Sequence, residues 1–289
     1  MPNQRYLAYL PHSGFHNQRI AFENALVLAR ILNRTLLVPP VRLGNQPIRY
    51  VHFDHLHRFL SLSGKDGLMH CSQVSQDVAL PQECLDFFSF THVSWQWLVN
   101  LSSVEAEQRL VYQADFTYPW LDPTSALEND TLILRDNGTY DYRFVDYDLP
   151  PAMQHHKYTS LVPISTLSSS DAPIIQLGTL FGSSRLHLRN RTNVAIRTRI
   201  RERMTLSNPI LFDVAEVAKA ALGKLYLGAH VRVGDGSFKD FGPRNARLKL
   251  MLSSDFFTLH GNPPRNSGST SPPCEHLTPP SHLFRHTFI

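Results

Sequence analysis

The first forty residues contain the feature that most restricts the fold: two short apolar strands joined by one amphipathic helix. The segment RYLAYL at 5–10 has strand chemistry, and QRIAFENALVLARIL at 18–32 carries apolar residues at helical spacing. TLLVPP at 35–40 returns to strand chemistry before a double proline ends it. Because the joints are short, this order predicts a βαβ unit and therefore a parallel α/β sheet.

The loop between the first strand and the helix predicts where a ligand binds. Crossovers in such sheets are right-handed, and ligands collect beyond the carboxyl ends of the strands, where this loop falls. Gly14 is expected to supply an unusual backbone conformation and Asn17 to cap the helix. A capped turn would explain these two residues alone. The presence of His12, His16 and Arg19 at the same place favours a bound phosphate or sugar hydroxyl.

A second polar strand end is predicted further along the chain. In KLYLGAHVRV, strand alternation puts His230 and Arg232 on one face, and a tight turn follows from Gly234. The guanidinium group suits phosphate oxygens, so phosphate binding is our preferred interpretation. The alternative is that Arg232 pairs with Asp235 at the surface while His230 is an ordinary core residue.

Composition and missing motifs exclude several classes of protein. Charged residues are 18% of the chain, the net charge is +4, and the basic residues are scattered, which argues against nucleic-acid binding. No apolar run is long enough to predict a membrane span, and we do not expect the opening MPNQRYLAYLPHSG to act as a signal peptide, because its apolar run is short and its flanks are polar. The dinucleotide, P-loop and G-x-S-x-G motifs are absent. HFDHLH at 52–57 is only a weak zinc candidate, and we expect no metal.

The cysteines and the glycosylation signals indicate in which cellular compartment the protein resides. Cys71 and Cys84 either form a disulfide in an oxidising compartment or remain two buried thiols. The number of N-x-S/T sequons is about twice the chance expectation and indicates the secretory pathway, hence the ER or Golgi lumen. The sequons lie at Asn33, Asn100, Asn129, Asn137 and Asn190.

Composition changes along the chain predict three segments. We expect an N-terminal Rossmann-like domain over 1–185, a partial C-terminal nucleotide-binding domain over 186–245, and a disordered or non-native tail over 246–289. Within the second segment, PILFDVAEVAKAAL at 209–222 predicts a helix that Gly223 ends. The tail is rich in Pro and Ser and has no apolar period, so it cannot bury enough surface to order itself.

Two motifs together carry a family resemblance. PHSGFHNQR and YLGAHVRVGDG, with NRTLLVPP and LGTLFGSSRL, resemble the fungal branch of the GDP-fucose protein O-fucosyltransferase family from about residue 5 to 245. The resemblance implies a GT-B-like α/β fold, with GDP-fucose between two Rossmann-like domains, the second incomplete here. It also implies an inverting transfer of fucose to a protein Ser or Thr hydroxyl, with no metal and no cofactor beyond the donor.

The resemblance also implies site residues. Arg232 would hold the β-phosphate and help the leaving group depart, so it is the expected catalytic residue. No general base is assigned, because Glu23 lies one turn into the helix. The alternative is a catalytically inactive, truncated remnant that acts at most as a binding module. The residues expected to bind the donor are Gly14, Phe15, Asn17, Gln18, His230, Gly234 and Asp235.

Overall fold

The structure, a computed structural model, describes residues 4–44, 47–65, 67–75, 77–114, 131–148 and 157–223. The chain divides into two compact units, and the first ends at Leu211 while the second begins at Phe212. Among the described residues, no helix combines the length and the apolar composition of a membrane span.

Strands and helices alternate through most of the described chain. The strands are β1 Tyr6–Tyr9, β2 Thr35–Val38, β3 Val41–Gly44, β4 Phe90–Val93, β5 Leu110–Tyr112, β6 Thr131–Leu134, β7 Tyr142–Val145, β8 Ser160–Pro163, β9 Ile174–Leu177 and β10 Leu186–His187. The α-helices are α1 Phe15–Ile31, α2 Phe53–Ser61, α3 Trp95–Leu98, α4 Ser102–Glu105, α5 Ile164–Ser168, α6 Arg191–Arg203 and α7 Pro209–Leu222. Two short 3₁₀ helices cover Met69–Gln73 and Gln82–Cys84.

The main sheet is parallel and has β1 at its centre. Its strand order is β5-β2-β1-β9-β6, and every neighbouring pair runs in parallel. Two smaller sheets accompany it, a parallel one ordered β10-β7-β8 and an antiparallel pair of β3 with β4. The predicted parallel α/β class is therefore confirmed for the described residues.

The predicted βαβ unit is present at the start of the chain. Tyr6 of β1 lies opposite Thr35 of β2, and α1 makes the crossover between them. α1 is buried along most of its length because it covers the sheet, and Phe22 stacks on Trp95 with ring centroids 4.5 Å apart. This packing fixes the direction in which the loop before α1 leaves the sheet.

The double proline after β2 changes the direction of the chain. Pro39 and Pro40 have no N–H group, so they cannot continue a strand ladder, and β2 ends at Val38. The following strand β3 leaves the main sheet and pairs with β4, with Arg42 opposite His92. This hairpin-like pair lies outside the parallel arrangement expected from the first forty residues.

α6 lies in the segment predicted as the partial C-terminal domain, 186–245, and it packs within the first compact unit. The Asn190 side chain caps it by accepting the Thr192 N–H at 2.9 Å. Ile200 and Met204 are buried in the main hydrophobic core, and Arg201 pairs with Glu23 of α1 at 3.2 Å. The residue ranges proposed above for the three segments remain a prediction.

The helix predicted at 209–222 is confirmed. α7 begins at Pro209 and ends at Leu222, and Gly223 follows with a φ of +85°, the left-handed conformation typical of glycine after a helix. The strand predicted for KLYLGAHVRV and the predicted tail lie outside the described residues.

A disulfide joins the two 3₁₀ helices. Cys71 and Cys84 are bonded, and both side chains are fully buried. The alternative of two unpaired thiols is therefore wrong. The bond closes a surface segment that has little regular secondary structure of its own.

Candidate functional site

The loop after β1 occupies the carboxyl end of the central strand, as the sequence predicted. Its unusual backbone conformation belongs to Ser13, with a φ of +68°, and not to Gly14, whose φ is −71°. The expected reason for a glycine at position 14 was therefore wrong. A Cβ at Gly14 would meet no atom within 4 Å, so this side of the backbone is open to an approaching ligand.

The N-terminus of α1 points out of this loop without a side-chain cap. Gly14 takes the N-cap position, no side chain caps the helix, and its first turn has no acidic residue. Asn17 was predicted as the cap, but this is wrong because the helix begins at Phe15 and Asn17 is already its third residue. The first N–H groups of an α-helix have no carbonyl partner within the helix, so this end attracts an anion.

The four loop residues expected to bind the donor have different surroundings; they are Gly14, Phe15, Asn17 and Gln18. Phe15 packs towards Trp95, with ring centroids 6.1 Å apart, and belongs to the edge of the core. The Asn17 amide is half-buried and has no hydrogen-bond partner among the described residues. Asn17 and the backbone at Gly14 are therefore the parts of the loop that remain able to contact a ligand.

Gln18 holds the loop in place. Its side chain is buried, and its amide nitrogen donates to the carbonyl oxygens of Ser13 at 2.9 Å and Arg42 at 2.8 Å. Its amide oxygen accepts the Arg42 N–H at 3.0 Å. These bonds tie the loop to β3, so Gln18 contributes to a site by fixing backbone geometry. Direct contact of Gln18 with a donor remains a prediction.

His12 lies beneath the loop in a buried position. One ring nitrogen, Nδ1, is 2.7 Å from the Ser13 hydroxyl, and Nε2 is 2.5 Å from the Thr179 hydroxyl. Burial, with a further contribution from the nearby Arg185 charge, lowers the pKa of His12 to about 4. His12 is therefore neutral at pH 7 and connects the loop after β1 to the loop after β9.

Asp136 and Thr179 extend this connection to β6, and the sequence did not reveal them. Asp136 is fully buried, accepts the Thr179 N–H at 2.5 Å and accepts the Tyr50 hydroxyl at 3.3 Å. Burial raises the pKa of the Asp136 carboxyl group. A Cβ at Gly178 would lie 2.4 Å from an Asp136 oxygen, so only glycine fits there. The ends of β1, β9 and β6 are thus joined by polar contacts under the loop.

Arg185 is a further member of the buried polar cluster that His12, Thr179 and Asp136 form under the loop. Its side chain is fully buried, and it donates to the carbonyl oxygens of Phe181, Tyr142 and Thr139. Burial lowers the pKa of its guanidinium group, which also lies 5.3 Å from the Tyr142 ring centroid. LGTLFGSSRL contains this residue, but no local pattern shows that an arginine after two serines is buried.

Of the remaining polar residues near the loop, Glu23 and Arg19 are engaged in ion pairs. Glu23 is buried and bridges Arg19 at 3.1 Å and Arg201 at 3.2 Å. A carboxylate held by two arginines is a poor general base, so Glu23 is not the base of the reaction that the family resemblance implies. His16 is exposed. Of the three basic residues expected to crowd the loop, only His12 lies beneath it.

Within the described ranges, the only cluster with metal-ligand spacing is His70, Cys71 and Cys84, and the two cysteines are already joined as a disulfide. The described residues of HFDHLH at 52–57 thus form no such cluster. His230, Arg232, Gly234 and Asp235 lie outside the described residues, and their roles remain predictions.

Fold and loop together define a class: an α/β protein whose central parallel strand ends in an uncapped helix N-terminus suited to an anion. Residues 6–241 match the GDP-fucose protein O-fucosyltransferase family, so the chain belongs to that family. The predicted family resemblance is confirmed.

Individual relatives match either a short part of this chain or most of it at low sequence identity. O-fucosyltransferase 30 of Arabidopsis thaliana is 60% identical over 38 residues, which are 13% of this chain and 8% of that relative. A crystal structure of POFUT1 in complex with GDP is 11% identical, covers 76% of this chain and 55% of that chain, and has a TM-score of 0.36. A POFUT1 complex with GDP-fucose is 10% identical over 76% and 56% of the two chains, with a TM-score of 0.35. The chain thus spans about half the length of these solved relatives.

Proposed function

We propose that this protein transfers fucose from GDP-fucose to a hydroxyl group of a protein acceptor, with inversion and without a metal ion. The proposal includes a GT-B-like arrangement of two Rossmann-like halves with the donor bound between them. Family membership over residues 6–241 supports the donor and the type of reaction.

The single structural observation that carries the proposal is the loop from Ser13 to Gln18. It lies at the end of the central strand, leaves α1 uncapped, and leaves open space at Gly14. Diphosphate oxygens are suitable partners for helix N–H groups, and the Asn17 amide suits a sugar hydroxyl or a phosphate oxygen. Gln18 and His12 hold this loop from below, so the site is organised before the donor binds.

Arg232 supplies the positive charge at the β-phosphate, which the loop after β1 does not provide. The acceptor oxygen attacks the anomeric carbon of fucose, the bond from that carbon to the β-phosphate oxygen breaks, and its electron pair remains on GDP. The attack comes from the opposite face, which inverts the configuration. A fixed guanidinium at the β-phosphate stabilises the charge that develops there, as a metal ion does in other transferases. The hydroxyl proton leaves to a base that is not assigned.

Calorimetric titration with GDP and GDP-fucose tests the proposal. We expect measurable binding of GDP to the folded chain, and loss of at least tenfold in affinity in Arg232→Ala and Asn17→Ala. Arg191→Ala is the matched control, because Arg191 is an exposed arginine at the start of α6 and is not one of the residues assigned to the site. Release of fucose or its transfer to a Ser-containing peptide would be followed by mass spectrometry.

The outcomes separate the two functional hypotheses. Loss of GDP affinity in the two site variants but not in Arg191→Ala supports the transferase. No detectable GDP binding by a sample with a cooperative unfolding transition would overturn the proposal and select the non-catalytic binding module.

A further inference from the structure

Two aromatic rings accompany the loop after β1 at the carboxyl end of the main sheet. The ring centroid of the buried His12 lies 5.3 Å from that of Tyr50 and 5.5 Å from that of Phe181. Phe181 belongs to the loop after β9, the neighbour of β1. The segment of Tyr50 is tied to the loop after β1, because the Ser13 N–H donates to the Ile48 carbonyl oxygen at 2.5 Å. We call His12, Tyr50 and Phe181 the aromatic wall; it lies beside the loop proposed to hold the diphosphate.

The polar side-chain atoms of the aromatic wall already have partners within the protein. His12 is neutral, and both of its ring nitrogens pair with hydroxyl groups of neighbouring residues. The Tyr50 hydroxyl donates to the Asp136 carboxylate at 3.3 Å, and Asp136 itself is fully buried. Phe181 has no polar side-chain atom. The aromatic wall therefore offers a ligand hydroxyl no free ring nitrogen and no accessible carboxylate.

Phe181 is held in place by its backbone. Its N–H donates to the Thr179 hydroxyl at 3.1 Å, and its carbonyl oxygen accepts from Arg185 Nε at 3.1 Å. Gly182 follows with a φ of +100°, a conformation that other residues rarely adopt. The Phe181 ring is half-buried, so part of it packs against the protein and part faces solvent. A ring that is ordered before the ligand arrives loses little free energy to ordering when the ligand binds.

One part of the proposed sugar matches such a surface. Fucose carries hydroxyl groups on its ring and a single methyl group, on C6. Its anomeric carbon is bonded directly to the β-phosphate, so a sugar whose diphosphate lies at the N-terminus of α1 is itself beside the loop. A methyl group placed against an aromatic ring buries apolar surface, whereas a hydroxyl placed there loses water without gaining a partner.

We propose that the aromatic wall contacts the C6 methyl group of the donor sugar, and that Phe181 determines specificity for a 6-deoxy sugar over the same sugar with a C6 hydroxyl. The inference rests on the proposed function, because it concerns the donor of that reaction. The N-terminus of α1 and the loop before it then hold the diphosphate, while the loop after β9 selects the sugar.

Two matched nucleotide sugars test the inference with the full chain. GDP-L-galactose is GDP-fucose with a hydroxyl in place of one C6 hydrogen, and every other configuration is the same. Calorimetric titration should show GDP-fucose bound at least about tenfold more tightly, as expected for one hydroxyl added against an apolar surface. GDP without a sugar is titrated alongside, because it reports on the nucleotide site alone.

Substitutions of Phe181 connect this preference to the aromatic wall. Phe181→Gln supplies an amide that can pair with the C6 hydroxyl, so the preference should fall to less than about threefold. Phe181→Leu keeps the surface apolar and should retain most of the preference. Phe88→Gln is the matched control, because it makes the same change at a position that is 63% exposed and outside the aromatic wall. Thermal unfolding of each variant checks that the fold is intact.

Four results would decide against the inference. Equal binding of the two nucleotide sugars by wild-type protein that binds GDP overturns it and leaves the proposed function standing, whatever the variants do. An unchanged preference in folded Phe181→Gln overturns the role of Phe181. The same loss of preference in Phe88→Gln shows an effect that does not come from the aromatic wall. Folded wild-type protein that binds neither GDP nor either nucleotide sugar overturns the proposed function, and the inference with it.

Discussion

At the scale of single residues, two glycines of the site differ in what they require. Gly178 lies where any Cβ would collide with the Asp136 carboxylate, whereas the outer face of Gly14 meets nothing within 4 Å. Both are at ends of neighbouring parallel strands. Gly178 is therefore needed for packing beneath the loop, and Gly14 leaves space above it.

Alanine at each position should separate folding from binding. Gly178→Ala must displace a buried carboxylate, so we expect the free energy of unfolding to fall by roughly 2–4 kcal/mol. Gly14→Ala meets no clash and should lower it by about 1 kcal/mol or less, the effect of a poorer N-cap. GDP affinity should nevertheless fall in Gly14→Ala. Urea unfolding and calorimetry measure the two quantities, and equal destabilisation by both variants would contradict this assignment.

His12 predicts how stability depends on pH. Its pKa is about 4 in the folded protein and near 6.5 when unfolded, so between these values the unfolded chain binds a proton that the folded chain does not. Stability is therefore lost as the pH falls through this window. From pH 7.5 to pH 5 the loss from His12 is roughly 2 kcal/mol. His12→Asn has no such titrating group, so its free energy of unfolding should depend less on pH than that of the wild-type protein. Urea unfolding of both proteins at pH 7.5 and pH 5 measures this difference. An unchanged dependence would contradict the buried neutral state.

At the scale of elements, the disulfide compensates for weak secondary structure. The bonded residues Cys71 and Cys84 are 13 positions apart and lie in two short 3₁₀ helices. When the disulfide closes a loop of this length, the unfolded chain loses conformational entropy, and the folded state is stabilised relative to it. The segment between α2 and β4 is therefore stabilised by a covalent bond more than by regular backbone hydrogen bonding.

Removing the disulfide should destabilise the first unit. We expect Cys71→Ser/Cys84→Ser to lower the free energy of unfolding by about 3 kcal/mol. The wild-type protein with its disulfide reduced should unfold at the same urea concentration as the double variant. A wild-type protein that loses no stability on reduction would contradict a structural role for the bond.

Local patterns were sufficient for some elements and insufficient for the site. Periodicity predicted β1, α1, β2 and α7, because these elements depend on residues that are near one another in sequence. The contact of His12 with Thr179 joins residues 167 positions apart, and no local pattern contains it. The N-cap was misassigned because Asn has the stronger intrinsic preference, whereas the loop geometry placed Gly14 there.

At the scale of the whole molecule, the main core belongs to the first compact unit. Its buried cluster extends from Leu7 to Met204, and the unit ends at Leu211. The catalytic role proposed for Arg232 falls after that point. Folding of the main sheet should therefore not require the segment that contains Arg232, whereas full nucleotide binding should require both that segment and the loop after β1.

A fragment of residues 1–211 should fold by itself. We expect one cooperative thermal transition within a few degrees of the full chain, because the fragment keeps the whole buried cluster. Its GDP affinity should be at least tenfold lower, since Arg232 is absent. Calorimetric scanning and GDP titration measure both properties. A fragment without a cooperative transition, or with full GDP affinity, would contradict this division.

The position of β1 at the centre of the sheet has a consequence during biosynthesis. Its partner on one side, β2, follows at once, but Tyr6 pairs on the other side with Ile174 of β9. A ribosome that adds roughly 5–20 residues per second reaches Ile174 about 10–30 s after Tyr6. Throughout that interval the nascent strand keeps one unsatisfied edge, which is an opportunity for wrong pairing. Chaperone demand should therefore peak before translation passes β9.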